Sequence, residues 1–484
     1  MTKIANTFRS LKVRNYRLFV GGQIVSLIGT WMQFIAQEWL TLQLSGDSGA
    51  ALGIVAALQF SPVLFLSLYG GKLADRHDKR KLIIGANAIW MVLSLALGLL
   101  VVTGTAELWH VFVFAATFGC VNAIEVPTRQ AFVSELVGHD LLPNALSLNA
   151  AVFNSARIVG PAAAGLLIAW LDTGPVILLN ALTYVGPTIA MLLISPALLN
   201  RAETPPSDTR ISDGLKYVKR RSDLLLPLAL VLVVGGLGFN FPVTLALLSK
   251  TEFHQGAASF GLLSSALAIG ALAGAFASSG RRGRPSVYAV IVGALAFGVF
   301  ELTVGFAMNY LMAAVLLVAA GFAMIYFAQA ANQRLQLATE SAYRGRVMSL
   351  YVLVFMGSKP LCAPLVGWIS EQFGARAGLW LGGGAAVVAA ALVLLVRSRR
   401  RNVRFELHAR PRPHLLLVEP QRRTVRFPAF KHQDAGPGSG SDTAAVPGPA
   451  GAPGRVAAAD PVAATGGGRP VVAAATAAPT KLAS

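Results

Sequence analysis

Twelve apolar stretches, each long enough to cross a membrane as a helix, dominate this 484-residue chain. A helix needs roughly 20 mainly apolar residues to cross the hydrocarbon, where no backbone polar group can be left without a partner. Only 13% of the residues are charged, whereas a soluble domain has about 25%. The sequence therefore predicts an all-α membrane protein. The predicted spans are 18–43, 50–72, 82–104, 107–128, 144–170, 174–195, 224–248, 256–279, 286–306, 309–332, 347–371 and 376–396.

The distribution of basic residues predicts how the chain is oriented. Of the 41 Lys and Arg residues, 37 fall in the termini and alternate loops on one side of the predicted membrane. Lys250 and Arg376 fall on the other side, and Arg157 and Lys359 fall within spans. Cytoplasmic loops carry the excess of positive charge, so the pattern predicts a multi-pass inner-membrane protein with both termini cytoplasmic. The net charge of +19 thus reports membrane topology, and no nucleic-acid partner is expected.

An internal repeat divides the spans into two sets of six. At an offset of 202 residues Arg157 matches Lys359 and Gly165 matches Gly367, and at an offset of 205 Arg129 matches Arg334. Two parallel six-helix repeats predict a transporter fold with the substrate path between the halves. The predicted parts are an N-terminus (1–17), a first half (18–196), a cytoplasmic linker (197–223), a second half (224–397) and a tail (398–484). The tail is basic at first and, from 402, has the composition of a disordered segment.

The loop between spans two and three carries a motif in which a glycine precedes Asp-Arg and a basic cluster. Its residues are Gly71, Asp75, Arg76, Arg80 and Lys81. In this motif the chain resembles the major facilitator superfamily. The resemblance implies that Asp75 pairs with Arg129 at the end of span four and stabilises the outward-open state. A merely positive loop would explain the basic residues but not Asp75. The matching loop of the second half has Arg281, Arg282 and Arg284 but no acidic counterpart.

Span five carries a second motif, Gly160-Pro161 followed by Gly165. In the superfamily, a Gly-Pro motif in this helix is associated with exporters that work by antiport. Together with the segments 144–147 and 344–349, it resembles the branch of drug:proton antiporters that contains the enterobactin exporter and macrolide efflux proteins. Glycine and proline also occur in membrane helices for packing and bending.

Charged residues at membrane depth are costly and mark candidate functional sites. Arg157 and Lys359 lie near the middle of their spans and are predicted to face one cavity; the alternative is that each snorkels or bonds a nearby carbonyl. The other predicted cavity residues are Gln33, Gln37 and Asn154.

The acidic residues are candidates for proton coupling. Glu38 either titrates within the transport path or lies in interfacial water, and Glu125 belongs with Asp75 and Arg129 near the cytoplasm. Glu301, at the outer end of span nine, is expected in solvent.

The preferred hypothesis is a twelve-helix secondary transporter that exports a lipophilic drug or a siderophore-like molecule by proton antiport with alternating access. The partners expected are the substrate, protons and the lipid bilayer, with the protein as a monomer. No enzyme activity, cofactor or metal is expected, because no Walker loop, metal-spaced His/Cys cluster or nucleophile elbow occurs. Two alternatives stay open: an importer or facilitator of the same fold, and a non-transporting membrane sensor or scaffold.

Overall fold

Twelve long apolar helices lie in the part of the chain that the structure describes, which confirms the predicted number of spans. The structure, a computed structural model, describes residues 8–200, 211–219, 221–280, 283–401, 404–408 and 414–418. The helices of the first half are α1 Arg14–Ser45, α2 Gly49–Arg76, α3 Lys79–Val102, α4 Leu108–Gly138, α5 Asp140–Leu171 and α6 Thr173–Leu193. The linker contains α7, Ile211–Lys219. The helices of the second half are α8 Ser222–Glu252, α9 Ala257–Ser279, α10 Val287–Gly305, α11 Tyr310–Ala338, α12 Tyr343–Phe373 and α13 Ala375–Arg401. Short 3-10 turns lie at Arg9–Lys12 and Pro196–Leu198.

The connection between α4 and α5 differs from the prediction. The predicted span ended at residue 128, after Pro127, but α4 continues through this proline to Gly138. The helix breaks at Gly138, where φ is +70°, a conformation that glycine adopts without a Cβ clash. Arg129 therefore lies within a helix and not in a loop.

Helix α8 is the least regular of the twelve. It contains a π-helical segment at Val234–Gly238 and a second at Leu248–Glu252, and its regular hydrogen bonding stops at Phe239 and Asn240. The Asn240 side chain donates hydrogen bonds to the carbonyl oxygens of Gly236 (2.5 Å) and Leu237 (3.1 Å). These bonds satisfy backbone groups freed by the interruption, so the break is a built feature of the bundle.

The two six-helix halves meet through paired close contacts between their helices. Glycines bring α2 against α12, where a Cβ on Gly367 would meet the backbone of Gly49. Glycines also bring α5 against α9, where a Cβ on Gly165 would lie 3.1 Å from the Cα of Gly261. Gly165 and Gly367 are the residues that the internal repeat equates. The repeat thus places equivalent glycines at equivalent contacts between the halves.

Both ends of the helical bundle lie on one side, as an even number of spans requires. We call this the basic side, because it carries the loops rich in Lys and Arg, and we call the opposite side the far side. Beyond α13, Arg404–His408 (β1) pairs in antiparallel fashion with His414–Val418 (β2). This strand pair was not predicted. The chain divides into the units 1–420 and 421–484, and the rest of the tail, residues 1–7, Arg281 and Arg282 lie outside the described residues.

Candidate substrate cavity and gates

A cavity of about 220 Å³ lies between the halves near the middle of the bundle. Helix α1 contributes Trp31, Phe34, Ile35 and Glu38, which share one face at helical spacing. Other residues around the cavity come from α2, α5, α8, α9, α11 and α12, and they include Gln59, Phe60, Arg157, Pro161, Phe239, Phe241, Ser264, Met324 and Lys359. Aromatic and apolar walls with a few polar groups are typical of sites for lipophilic ligands.

Three charged side chains face this cavity. The Arg157 guanidinium lies 5.8 Å from the centre of the Trp31 ring, and the Lys359 ammonium lies 4.3 Å from the centre of the Phe60 ring. Lys359 is close enough to interact electrostatically with both Arg157 and Glu38, yet no ion pair within 4.0 Å joins these groups among the described residues. The repeat-related Arg157 and Lys359 therefore share one cavity, as the sequence suggested, and both keep their charged ends available to a ligand.

The predicted cavity residues Gln33, Gln37 and Asn154 do not line it. Gln33 and Gln37 are 1% and 0% exposed and lie inside the first half. Gln33 accepts a hydrogen bond from Asn180 (3.1 Å), and Gln37 accepts one from Gln59 (3.1 Å). The two glutamines do share a face of α1, but that face packs within the half, whereas Trp31, Phe34 and Glu38 face the cavity. The Asn154 amide bonds its own helix at Ala150 (2.7 Å).

On the far side, bonds between the halves close the cavity. The Glu371 carboxylate of α12 accepts hydrogen bonds from the Ser48 hydroxyl (2.7 Å) and the Ala50 amide (2.9 Å), at the first turn of α2. Lys250 of α8 forms an ion pair with Asp47, and its ammonium lies 5.5 Å from the centre of the Trp39 ring. With the glycine contacts, these bonds define a far-side-closed state.

No such bonds between the halves lie on the basic side among the described residues. Asp75 is exposed there and has no hydrogen bond or ion pair with the described residues. Arg129, its predicted partner, instead forms an ion pair with Glu125 (3.1 Å) and donates a hydrogen bond to Gln23 (3.2 Å). This state therefore does not contain the predicted Asp75–Arg129 pair, although Glu125 does belong with Arg129.

Of the other residues in the predicted gating motif, Arg80 makes contacts within the first half. Arg80 donates to the carbonyl oxygens of Met191 (2.5 Å) and Leu192 (2.9 Å) and so caps the C-terminal end of α6. Arg76 and Lys81 are exposed. Gly71 has open space around it, and the close approach to α4 is made by Gly70, where a Cβ would lie 3.0 Å from the Cα of Ile124.

Two ion-pair sites on the basic side were missed from the sequence. Lys79 of the motif loop pairs with Glu135 of α4 (2.7 Å). In the second half Asp223 pairs with Arg221 (2.9 Å) and Arg284 (3.1 Å), and this carboxylate raises the pKa of Arg221 above its usual value. The second half thus does have an acidic partner for its basic loop, but it comes from the start of α8 and not from the loop.

The helix-five motif contacts both halves. A Cβ on Gly160 would lie 3.0 Å from the Ile28 carbonyl oxygen of α1, and Pro161 borders the cavity. One turn further, Gly165 touches α9 of the other half. The motif therefore allows close packing at the closed far side.

Two buried carboxylates remain away from the cavity. Glu125 and Glu301 are each 2% exposed. The expectation that Glu301 lies in solvent is wrong, because α8 and α13 cover this end of α10. In both residues Oε2 accepts no hydrogen bond from the described residues.

The twelve-helix bundle with a central cavity between two six-helix repeats defines a major facilitator transporter. The match to the family described as transmembrane secretion effector covers residues 5–424, and the chain belongs to this family.

The chain is 25% identical over 263 residues to the staphyloferrin A transporter of Staphylococcus aureus, an alignment that covers 53% of this chain and 64% of that protein. It is also 25% identical over 359 residues to the enterobactin exporter EntS of Shigella flexneri, covering 73% of this chain and 84% of that protein.

Solved structures agree on the fold. The nucleoside transporter NupG superposes with a TM-score of 0.65 at 11% identity, over 78% of this chain and 99% of that one. At this identity the likeness extends to the fold alone. The family and the relatives of this chain are transporters and not enzymes, as expected from the sequence.

Proposed function

We propose that the protein exports a lipophilic, carbonyl-rich small molecule of the siderophore or drug type by proton antiport. The observation that carries the proposal is the cavity in which Glu38, Arg157 and Lys359 meet aromatic walls. Arg157 and Lys359 donate hydrogen bonds to carbonyl or carboxylate oxygens of the substrate, and Glu38 accepts hydrogen bonds from its hydroxyl groups. The names of two relatives, an enterobactin exporter and a staphyloferrin A transporter, fit this chemistry.

Antiport follows from competition at Glu38. The ionised carboxylate accepts hydrogen bonds from substrate hydroxyls, whereas a proton removes its negative charge, turns one of its oxygens into a donor and weakens substrate binding. Substrate loading with the cavity accessible from the basic side, and proton loading from the far side, would then alternate. The basic side faces the cytoplasm of a bacterial inner membrane in this proposal, since basic loops are retained there.

Gating on the basic side completes the cycle. We propose that Asp75 and Arg129 come together only when the basic side closes and stabilise that state. Glu125, now paired with Arg129, would be released by this exchange, which makes it a second proton-coupling candidate.

The direct test is flux into inside-out proteoliposomes under an imposed pH gradient. Enterobactin, staphyloferrin A, a macrolide and a lipophilic cation serve as probes. We expect gradient-driven accumulation of at least one carbonyl-rich probe, about tenfold lower in Arg157→Ala because a charge-assisted hydrogen bond is worth about 1.5–3 kcal/mol. Glu38→Gln should uncouple flux from the gradient.

Arg376→Gln is the matched control, because this arginine pairs with Glu252 outside the cavity. Flux that ignores the gradient in the wild type would favour a facilitator. Accumulation in the opposite direction would favour an importer, and full coupling in Glu38→Gln would refute the assigned role of that residue.

A further inference from the structure

A buried carboxyl lies behind the interrupted part of α8, on the side away from the cavity. Glu301 of α10 is 2% exposed, and its Oε2 accepts no hydrogen bond from the described residues. Neither the cavity nor the ion pairs on either side of the protein include it. An acidic side chain placed in this way within a membrane helix needs a functional or structural reason.

The surroundings of Glu301 leave room for a carboxyl group and for little else. A Cβ on Gly238 would lie 3.0 Å from Oε2, and a Cβ on Gly382 would lie 2.6 Å from Oε1. Glycines of α8 and α13 therefore form the two walls of the site. Gly238 is the last residue of the π-helical segment, so the carboxyl contacts the irregular backbone of α8 directly.

Charged groups on the surrounding helices do not reach Glu301. Helix α10 packs against α11, α13 and the first part of α8. Besides Glu301, the charged and titratable residues of these four helices whose side chains the structure describes are Asp223, Lys250, Glu252, Tyr288, Tyr310, Tyr326, Arg334, Arg376 and Arg397. None of them forms a hydrogen bond or ion pair with Glu301 in the described part of the chain. Arg376, on the far side, pairs with Glu252 (3.0 Å).

The form of the carboxyl that fits this site is the neutral one. An ionised carboxylate without a cation or hydrogen-bond donors costs several kcal/mol more in an apolar interior than the neutral acid. Opening the far side would separate α8 from the first half, because Lys250 makes its contacts there with Asp47 and Trp39. If that movement carries the π-helical segment away from α10 and α13, water reaches the carboxyl behind it.

We infer that Glu301 is a proton-binding site of the far-side-closed state, separate from Glu38 in the cavity, and that far-side opening releases its proton. The inference rests on alternating access in the proposed function but not on the role of Glu38. Phe239 connects the two places, because its ring borders the cavity and lies 5.1 Å from the ring of Phe297, one turn before Glu301. A substrate that moves Phe239 would therefore act on the Glu301 site.

The sign of the pH effect follows from proton linkage. The closed state binds one more proton at Glu301 than the open state, so low pH stabilises closure and high pH favours opening. The ratio of open to closed protein should rise by up to about tenfold per pH unit across the titration. Glu301→Gln, which is permanently neutral and nearly isosteric, should stay closed at every pH.

The test needs no substrate. Spin labels are attached to the variants Trp170→Cys and Met308→Cys. Trp170 and Met308 lie at far-side positions of opposite halves and are 82% and 87% exposed. Cys120 and Cys362 are first replaced by serine. The distance distribution between the labels is measured in lipid nanodiscs from pH 5 to pH 9, first in sodium-free buffer and then with sodium chloride added at fixed pH. We expect the wild type and Glu38→Gln to shift to longer distances as pH rises, and Glu301→Gln to keep the short distance.

Infrared absorption gives a second readout that does not depend on the labels. The carbonyl band of a protonated carboxylic acid should be present in the wild type at pH 7 and weaker in Glu301→Gln, whereas Glu301→Asp should retain the pH shift. The inference would be overturned if Glu301→Gln kept the pH dependence of the label distance. It would also be overturned if the carboxylic acid band were as strong in Glu301→Gln as in the wild type. A shift that follows sodium and not pH would replace it with a cation site. A pH shift that is lost in Glu38→Gln and kept in Glu301→Gln would assign the titration to the cavity carboxyl and would also overturn the inference. Wild-type flux that ignores the pH gradient, with the label shift intact, would refute the proposed antiport and leave the Glu301 site standing.

Discussion

The two sides of the molecule stabilise the same bundle in opposite ways. On the far side the bonds run between the halves, from Glu371 to Ser48 and from Lys250 to Asp47. On the basic side the described ion pairs stay within one half, as between Lys79 and Glu135. A rigid half with removable bonds to its partner is what alternating access requires. The far side is the closed gate in this structure. On the basic side, the ion pairs stabilise each half separately and do not depend on the gate.

The largest effect is expected at the glycine contact of this gate. In Gly367→Val the side chain would have to occupy the position of the Gly49 backbone, so the far side cannot close without moving α2 or α12. Overpacking of this kind costs about 1–3 kcal/mol, which shifts the equilibrium toward far-side opening by about tenfold or more. The label distance between residues 170 and 308 measures the shift, and export should be nearly lost.

Gly384→Val is the control for this substitution. Gly384 lies in α13 with no atom near the position of an added Cβ, so it tests the effect of valine in a membrane helix without the contact between halves. Equal label distances in Gly367→Val and in the wild type would show that the glycine contact does not limit closure.

The next effect concerns the basic side and has the opposite sign. Asp75→Asn should leave the far-side-closed state unchanged, because Asp75 bonds no described residue there, but it should weaken the state closed on the basic side. A hydrogen bond to a charged group is worth at least about 1.5 kcal/mol, so transport should fall by about tenfold with normal amounts of protein in the membrane. Asp140→Asn, another exposed carboxylate on this side, is the control. Wild-type flux in Asp75→Asn would refute the gating role.

The sequence predicted the parts of this comparison that depend on composition and repetition. Hydropathy was enough for twelve spans, and the pairing of Arg157 with Lys359 through the repeat was enough to place two cations in one cavity. A pattern of this kind works because a membrane imposes one length and one polarity on every span. It says which residues are deep, but it does not give the rotation of each helix.

Helix rotation explains the errors. Gln33 and Gln37 lie at the right depth on one face of α1, but that face packs inside the half. Glu301 lies near a helix end, and only the arrangement of α8 and α13 shows that it is covered. Partners from distant segments, such as Asp223 for Arg284 or Asp47 for Lys250, have no local signal, because nothing in a single sequence links the loops that meet in space.

A smaller effect is expected from the bond that joins α12 to the first turn of α2. In Glu371→Ala the Ser48 hydroxyl and the Ala50 amide lose their acceptor, and loss of such a helix cap costs about 1 kcal/mol. The far-side-open population should rise by about fivefold in the same label measurement. Glu252→Ala removes a far-side carboxylate that pairs within its own half and should leave the population unchanged. An equal rise in both variants would mean that negative charge on this side, and not the bond between the halves, sets the equilibrium.

The smallest effect is expected for the ion pair between the halves. Asp47 and Lys250 are both partly exposed, with side-chain exposures of 39% and 27%, and pairs of this kind contribute about 0.2–1 kcal/mol. Lys250→Gln should therefore raise the far-side-open population by no more than about fivefold at low salt. The rise should become smaller at high salt in proportion to the screening of the pair, because the Debye length falls to about 3 Å at 1 M. A double-mutant cycle with Asp47→Asn separates this ion pair from the cation–π contact of Lys250 with Trp39. The effect of Lys250→Gln that remains in the Asp47→Asn background measures the contact with the Trp39 ring. Salt should not change that remaining effect. A Lys250 effect larger than that of Glu371, or one that salt does not change, would show that the gate depends on the buried aromatic contact more than on the charge pair.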